Sequence, residues 1–288
     1  MNPAPAPARR WLLAARPRTL PAAAVPVAVG AASVEPLGVN WWNTLLCLVI
    51  ALALQIGTNY ANDYSDGVRG TDEVRVGPFR LTASKLVAPR HVRNAAFLCF
   101  GVAGVFGLTL AARTSWWIVA IGVSAVLAGW FYTGGPRPYG YLGFGELFVL
   151  VYFGFVATVG TAYSQHRHIP WHTWWLGLAT GAMACALLEA NNLRDVDGDR
   201  AANKKTLAAR LGRSRGSTLY VACVVGVVAG LLVAGLGIEA GVGLVLYAPA
   251  LRMVYSEKQG RELLPLLQYT ARTQLLLGAF VTFLLIRA

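Results

Sequence analysis

Residues 42–66 read WNTLLCLVIALALQIGTNYANDYSD, an apolar run that ends abruptly in amides and carboxylates. Residues 42–60 carry no charged side chain. A helix of roughly 20 such residues is long enough to span the hydrocarbon core of a bilayer. The whole chain has this character, because 56% of its residues are hydrophobic and only 13% are charged, against about 25% charged residues in soluble domains. The composition excludes a soluble globule and a disordered chain, and it predicts an all-α polytopic membrane protein.

Similar apolar stretches recur along the chain and predict about nine membrane-spanning helices. They are Leu20–Val34, Trp42–Tyr60, Ala95–Ala112, Trp116–Tyr132, Gly143–Ala162, Trp171–Leu188, Thr218–Leu236, Ile238–Tyr255 and Ala271–Ile286. Spans of about 20 residues each account for most of the chain, so no room is left for a soluble domain. We expect a single transmembrane domain, residues 1–288, in which residues 1–10 are a disordered tip rather than a signal peptide.

Basic residues fall almost entirely on one side of these predicted spans. If the N-terminus is cytoplasmic and the spans alternate, only Arg113, Arg167 and Arg287 of the 25 Lys and Arg residues lie outside. This bias is the positive-inside rule, and it predicts a plasma (inner) membrane protein with a cytoplasmic N-terminus and an outer C-terminus. The net charge of +12 does not predict nucleic-acid binding, because apolar helices separate the basic residues and leave no contiguous basic face.

The six aspartates of the chain are confined to two short stretches, 63–72 and 195–199, whereas the seven glutamates are scattered. Each stretch directly follows a predicted span, the second and the sixth, on the predicted cytoplasmic side. We name residues 59–72 the first acidic window and residues 191–199 the second acidic window. Solvated surface charge would not be distributed in this way, so both windows are candidates for a functional site.

The first acidic window places polar residues on one face of a helix. Offsets of 0, 3, 4 and 7 residues, which follow the helical repeat, relate Asn59, Asn62, Asp63 and Asp66. Asp72 completes the window. Carboxylates at this spacing repel one another, and ionised groups near hydrocarbon are costly. A divalent cation reverses both effects, so the window predicts metal ligands.

The second acidic window repeats the arrangement. Asn191, Asp195 and Asp199 lie four residues apart and share one helix face. Asp197 points about 160° away at 100° per residue, and we expect it to be dispensable. Mg²⁺ takes carboxylate and amide oxygens and completes its shell with water and phosphate oxygens. Two such faces turned toward each other predict two magnesium sites that hold one diphosphate.

Basic residues follow both windows and are suited to bind phosphate oxygens. Arg80 and Lys205 are the strongest candidates, Arg137 is the third, and Lys85 and Lys204 accompany them in sequence. The positive-inside rule alone explains the positions of most of the other basic residues. For one window alone, a polar helix end paired with these cations would be an equally good interpretation. Two windows with Asn at the same relative position, both on the predicted cytoplasmic side, favour the metal site.

Three stretches carry a resemblance to a known family. Residues 62–81, NDYSDGVRGTDEVRVGPFRL, resemble the first signature of the UbiA-type intramembrane prenyltransferases. Residues 191–212, NNLRDVDGDRAANKKTLAARLG, resemble the second signature. Residues 132–146, YTGGPRPYGYLGFGE, are most similar to the branch of this superfamily that acts on 1,4-dihydroxy-2-naphthoate. The resemblance covers nearly the whole chain.

The resemblance implies nine helices around a central cavity open to lipid. It also implies Mg²⁺, a polyprenyl diphosphate donor that is a membrane lipid, and dihydroxynaphthoate as an aromatic acid acceptor that loses CO₂. The implied catalytic residues are Asp63, Asp66, Asp72, Asp195, Asp199 and Lys205. The implied metal ligands are Asn62, Asp63, Asp66, Asp72, Asn191, Asp195 and Asp199. The implied substrate-binding residues are Asn59, Asn62, Arg80, Lys85, Tyr132, Arg137, Asn191, Asn192, Lys204 and Lys205.

Other interpretations stay open at this point. The acceptor could instead be hydroxybenzoate, homogentisate, haem or a phosphoribose. A secondary transporter also buries acids in the membrane, although its sites are expected near the midplane on broken helices. A lipid-diphosphate phosphatase would need a His or Cys nucleophile, and no histidine lies in either acidic window. The sequence does not identify a general base, for which Glu146 and Glu189 are candidates.

Overall fold

The computed structural model describes residues 5–34, 37–71 and 79–287. These residues form helices and connecting turns, and no β-strand occurs among them. The main helices are α1 (Pro7–Ala14), α2 (Pro21–Ala32), α3 (Trp41–Arg69), α4 (Pro89–Arg113), α5 (Trp117–Phe131), α6 (Gly145–His166), α7 (Trp171–Ala201), α8 (Leu207–Val233), α9 (Ala240–Val254) and α10 (Leu264–Arg287). The predicted all-α class is confirmed.

Each predicted span overlaps one of these helices. Helices α3, α4, α6 and α8 are long and apolar enough to cross a membrane, as is the segment Gly260–Arg287, which contains α10. Helices α2, α5 and α9 are apolar but shorter, and α7 runs for 31 residues into the second acidic window. The chain is therefore a multi-pass membrane protein, while the number of nine crossings stays a prediction.

The helices extend further than hydropathy alone indicates. Helix α3 continues past Tyr60 to Arg69, where Gly70 ends it with a left-handed φ of 75°. Helix α7 continues past Leu188 to its end at Ala201. Hydropathy detects only the apolar part of a helix, whereas these polar ends are covered by neighbouring segments of the chain. Likewise, residues 7–10 belong to α1, although we expected them to be part of a disordered tip.

The two largest hydrophobic cores of the described residues hold much of the bundle together. The larger core joins α7, α8, α9 and α10 through side chains such as Leu176, Tyr220 and Leu277. A smaller core joins α1, α3 and α4 around Tyr60 and Phe100. Helix α2 connects the two cores, because its valines pack with α7 and α10 on one side and with α3 and α4 on the other. The helices therefore form one continuous bundle, with a gap between the two cores.

Polar contacts at one end of the bundle fix the direction of α3 and α7. Asn43, near the start of α3, donates through its side-chain amide to the Ser164 carbonyl at 2.5 Å and accepts from Arg113 at 3.0 Å. The His172 ring, at the start of α7, lies 2.9 Å from the Ser33 carbonyl. Both helices therefore begin at this end. Both acidic windows lie at the opposite end, where α3 and α7 finish.

Candidate active site

A cavity of about 1290 Å³ opens between α3, α4, α5, α6 and α7. Its walls are mostly apolar, and they include much of the π-helical stretch Leu150–Val159 of α6. Such stretches are rare and often occur at functional sites. Leu108, Ile121 and Leu127 line the cavity and are also exposed, so the cavity reaches the outer face of the bundle. This geometry suits an apolar chain that enters from the lipid.

Polar side chains are concentrated at one end of the cavity, where the two acidic windows meet. They come from the C-terminal ends of α3 and α7 and from connections between helices. They include Asn59, Asn62, Asp66, Arg80, Tyr141, Asn191, Asn192, Arg194, Asp199 and Lys204. A molecule that is polar at one end and apolar along the rest of its length matches this distribution.

Asp66 joins the first acidic window to the connection that follows the second. Its Oδ2 accepts a hydrogen bond of 3.0 Å from Nζ of Lys204, which lies five residues after Asp199 of the second window. Arg80 approaches the same oxygen at 3.7 Å. Asp66, Arg80 and Lys204 are all buried. Buried charges are held only when they are paired, and this pairing brings the end of α3 next to the connection that follows α7.

Tyr141, in the connection between α5 and α6, completes this contact. Its hydroxyl donates to Oδ1 of Asp66 at 2.7 Å. Two cations lie over the face of its ring, with Lys204 Nζ 4.7 Å and Arg69 Cζ 5.4 Å from the ring centroid. Burial, together with the nearby Asp66 carboxylate, raises the pKa of Tyr141 above its usual range. The phenol therefore stays protonated and remains a hydrogen-bond donor.

Asp63 has a different environment from Asp66, although both belong to the first window. Its two oxygens accept hydrogen bonds from the backbone N–H groups of Leu81 at 2.8 Å and Thr82 at 2.9 Å. Asp63 is 1% exposed and does not line the cavity. It fixes the segment that carries Arg80 into the cavity, so the structure places Asp63 as an anchor for a cavity residue.

The second window is neutralised from within its own helix. Arg194 binds both oxygens of Asp195, each at 2.7 Å, and also donates to Oδ1 of Asn191 at 2.7 Å. Asp199 lines the cavity and accepts a hydrogen bond of 3.4 Å from the Thr206 hydroxyl. Asp197 is exposed, as its helical position predicts.

The asparagines of the two windows tie neighbouring segments to the cavity. Asn59 donates to the Ala15 carbonyl at 2.9 Å, and Asn62 accepts from the Thr133 hydroxyl at 2.8 Å. Asn192 donates to the Glu146 carboxylate at 2.9 Å. These contacts connect the N-terminal segment and the loop between α5 and α6 to the polar end. They explain why amides as well as carboxylates recur in the windows.

Comparison with known proteins decides the family. The model of the UbiA prenyltransferase family matches residues 23–262, which is most of the chain. The chain belongs to the UbiA prenyltransferase family. The resemblance carried by the two acidic windows is confirmed.

Individual members of the family show how far the similarity extends. The 1,4-dihydroxy-2-naphthoate octaprenyltransferase of Mycobacterium tuberculosis is 46% identical over 273 residues, which cover 92% of this chain and 93% of that protein. The enzyme of the same name from Escherichia coli is 36% identical, with 74% and 72% covered. The solved structure of a UbiA homologue from Archaeoglobus fulgidus bound to GPP and Mg²⁺ matches with a TM-score of 0.66 over 97% of this chain and 100% of that one. Its identity of 17% shows a shared fold alone.

Several residues predicted from the UbiA signatures do not reach the cavity. Lys85, Arg137 and Lys205 are exposed, and none of them lines it. Lys204 takes the place expected of Lys205, because the turn after α7 directs the first lysine inward. Its backbone N–H bonds to the Asp199 carbonyl at 2.7 Å, while that of Lys205 bonds to the Tyr141 carbonyl at 2.9 Å. Asp72 lies outside the described residues.

The donor set of the polar end fits the magnesium chemistry of UbiA enzymes. Among the described residues, no three His, Cys, Asp or Glu side chains come close enough to enclose a metal ion. Asp66 and Asp199 nevertheless line the cavity with amide oxygens nearby, and Mg²⁺ needs only one or two protein carboxylates when phosphate and water supply the remaining ligands. Lys204 already contacts Asp66, and Arg194 already contacts Asp195. These carboxylates therefore already accept a positive charge beside them.

Sequence reasoning missed two residues of this site, Tyr141 and Arg194. Arg194 is adjacent to Asp195, but we counted it only as one of the topology-setting charges. Its burial at 4% exposure could have been suspected, since it lies within a helix between residues assigned to the site. Tyr141 carries no comparable signal, because only the folded connection between α5 and α6 brings its hydroxyl to Asp66.

Proposed function

We propose that the chain transfers a polyprenyl group from polyprenyl diphosphate to 1,4-dihydroxy-2-naphthoate, with loss of diphosphate and CO₂, to give demethylmenaquinol, the reduced form of demethylmenaquinone. The observation that carries this proposal is the contact between Lys204 and Asp66, which brings both acidic windows to the polar end of an apolar cavity. The names of the relatives support the same acceptor. The transfer itself oxidises nothing, so the product leaves at the quinol level.

The diphosphate would bind at the polar end of the cavity. Arg80, Arg194 and Lys204 line this end and donate to phosphate oxygens. Within the described residues, Nη1 of Arg194 is buried without a hydrogen-bond partner, so it is available to a phosphate oxygen. Lys204 takes the phosphate-binding role that the sequence suggested for Lys205.

The carboxylates and amides are suited to hold Mg²⁺ beside the diphosphate. The ligands would be Asp66, Asp199, Asn62 and Asn191, which line the cavity, together with Asp195, whose carboxylate lies outside the lining and is paired with Arg194. Asp63 would anchor the Arg80 segment. The metal supplies positive charge that stabilises the departing diphosphate. Two windows facing one diphosphate favour two ions.

The apolar part of the cavity would hold the prenyl chain and its reacting end. The C1–O bond of the donor breaks, and its electron pair leaves with the diphosphate. Tyr132, Tyr139 and Phe148 line the cavity, and the rings of Tyr139 and Phe148 are stacked 3.9 Å apart. Aromatic faces stabilise an allylic cation. The electron-rich acceptor ring then forms the new C–C bond, and its carboxylate departs as CO₂.

We further propose that the polar end faces the cytoplasm of the inner (plasma) membrane, with the C-terminus outside. The distribution of Lys and Arg residues supports this orientation. The exposed lining of the cavity supports entry of the donor from the surrounding lipid.

Mass spectrometry of the product tests the proposed reaction. The purified protein in lipid nanodiscs receives a polyprenyl diphosphate, dihydroxynaphthoate and Mg²⁺, and we expect a decarboxylated prenyl naphthoquinol. Exhaustive chelation should abolish the product, and restored Mg²⁺ should recover it. Parallel reactions with hydroxybenzoate and homogentisate measure acceptor choice. A prenylated product with one of these acceptors and none with dihydroxynaphthoate would overturn the assignment. In sealed proteoliposomes, movement of intact donor across the membrane without chemical change would favour a transporter.

A further inference from the structure

We propose that Lys204 is an exchangeable counter-ion, which pairs with Asp66 in the metal-free protein and moves to the diphosphate when magnesium binds. Metal alone then binds weakly, and metal and diphosphate bind cooperatively. This inference rests on the proposed function, because it concerns the same site and the same ligands.

The contacts of Asp66 require such an exchange. Its Oδ2 is bonded to Lys204 at 3.0 Å, with Arg80 farther away at 3.7 Å, and its Oδ1 is bonded to Tyr141 at 2.7 Å, so both oxygens are engaged. An ammonium group and a divalent cation repel each other strongly at neighbouring positions around one oxygen in a buried site. A magnesium ion that binds Asp66 through Oδ2 must therefore displace the ammonium group of Lys204.

The Lys204 side chain can move while its backbone stays in place. The backbone N–H is bonded to the Asp199 carbonyl at 2.7 Å, and the next N–H bonds to the Tyr141 carbonyl at 2.9 Å. The side chain is a compact charge on a flexible four-carbon stem, and it lines the cavity. A diphosphate at the polar end offers the displaced ammonium group a new anionic partner. Without a diphosphate, the displaced charge would be left unpaired in a buried position, which is costly.

The corresponding ion pair in the second window is less suited to exchange. Arg194 binds both oxygens of Asp195 through its planar fork and belongs to the same helix. Lys204 makes one charged hydrogen bond to Asp66, and it comes from a turn outside α7. The binding of metal and the binding of diphosphate are therefore coupled through Lys204.

Calorimetric titration of the full chain in nanodiscs tests the coupling. Mg²⁺ is titrated alone and in the presence of inorganic pyrophosphate, with wild type, Lys204→Met and Lys204→Arg. We expect Lys204→Met to bind Mg²⁺ alone about tenfold more tightly and pyrophosphate with Mg²⁺ about tenfold more weakly, within the usual range of coupling between two sites. Lys204→Arg keeps the charge and should bind Mg²⁺ alone as weakly as wild type. Lys258→Met, which removes an exposed lysine between α9 and α10, is the matched control.

The exchange of partners predicts that the two affinities move in opposite directions in Lys204→Met. Unchanged or weaker binding of Mg²⁺ alone in Lys204→Met would overturn the inference, and so would an equal change in Lys258→Met. If Lys204→Met does not fold, the Lys204→Arg titration decides: tighter binding of Mg²⁺ alone than in wild type would contradict it, and unchanged weak binding would support it. The product assay on wild type is separate. Coupling without prenyl transfer would refute the proposed function alone, and transfer without coupling would refute this inference alone.

Discussion

The acid at the end of α3 and the acid at the end of α7 differ in what neutralises them. Asp66 is held by Tyr141 and Lys204, which come from two distant connections of the chain. Asp195 is held by Arg194, its neighbour on the same helix. The first acidic window is therefore completed only when the whole bundle folds, whereas the second carries its own counter-ion.

This difference has a consequence for the chemistry. A carboxylate that is neutralised from elsewhere in the fold loses its partners when those segments move. The environment of Asp66 therefore depends on substrate, metal and protein conformation together. A carboxylate that is neutralised locally keeps its position throughout. Asp63 is fixed as well, although by another segment of the chain, since the backbone N–H groups of Leu81 and Thr82 hold both of its oxygens. The comparison predicts that substitutions of neighbouring aspartates affect different properties, mainly activity for Asp66 and mainly stability for Asp63.

The largest effect is expected for Asp66→Asn. The substitution keeps the shape of the side chain but removes the charge that links the two windows, and we expect kcat to fall by about 10³-fold, as for other removed electrostatic groups at active sites. Prenyl transfer in nanodiscs gives the rate, and the thermal unfolding midpoint serves as the folding control. A variant that keeps a tenth or more of the wild-type rate would contradict the central role of Asp66.

Arg194→Lys tests whether the local counter-ion of the second window needs its geometry as well as its charge. Lysine supplies one charge but cannot bind both oxygens of Asp195 in parallel while also holding Asn191. We expect activity to fall by roughly 10- to 100-fold, the usual cost of removing a partner that orients a metal ligand. The rate is measured as a function of Mg²⁺ concentration. Wild-type activity at every concentration would show that only the charge matters.

Much of the fold was predictable because hydropathy and helical spacing are local properties. The span Trp42–Tyr60 and the exposure of Asp197 needed no tertiary information. The choice between Lys204 and Lys205 did need it, since these residues lie in a turn with no repeating geometry, and contacts with Asp199 and Tyr141 decide which lysine points inward.

Helical spacing was also too coarse within the first window. It placed Asp63 and Asp66 on the same face, although only one of them lines the cavity. The difference depends on residues 79–82, which follow the window and pack against one side of α3. A segment with no regular structure of its own thus decides which aspartate is structural, and no pattern in the sequence of α3 contains that information.

Asp63→Asn tests this structural assignment. The amide keeps one acceptor but turns an N–H donor toward a backbone N–H group, so one buried hydrogen bond is lost. We expect the free energy of unfolding to fall by about 1–3 kcal/mol. We also expect KM for the donor to rise several-fold, because Arg80 is less well placed. Thermal unfolding and steady-state kinetics separate the two effects. An unchanged unfolding midpoint with kcat as low as in Asp66→Asn would instead make Asp63 a direct metal ligand.

The smallest effect is expected for Asp197→Asn, in the same window as Asp195 and Asp199. Its side chain is exposed and lies on the other face of α7, and surface substitutions away from special contacts change stability by at most about 0.5 kcal/mol. We expect activity and Mg²⁺ affinity within about twofold of wild type. Because the three aspartates differ in position but not in chemistry, a large loss in Asp197→Asn would mean that the net charge of the window, rather than the direction of each side chain, controls the site. The contrast between Asp66 and Asp195 would then lose its basis, since it depends on which atoms each carboxylate touches.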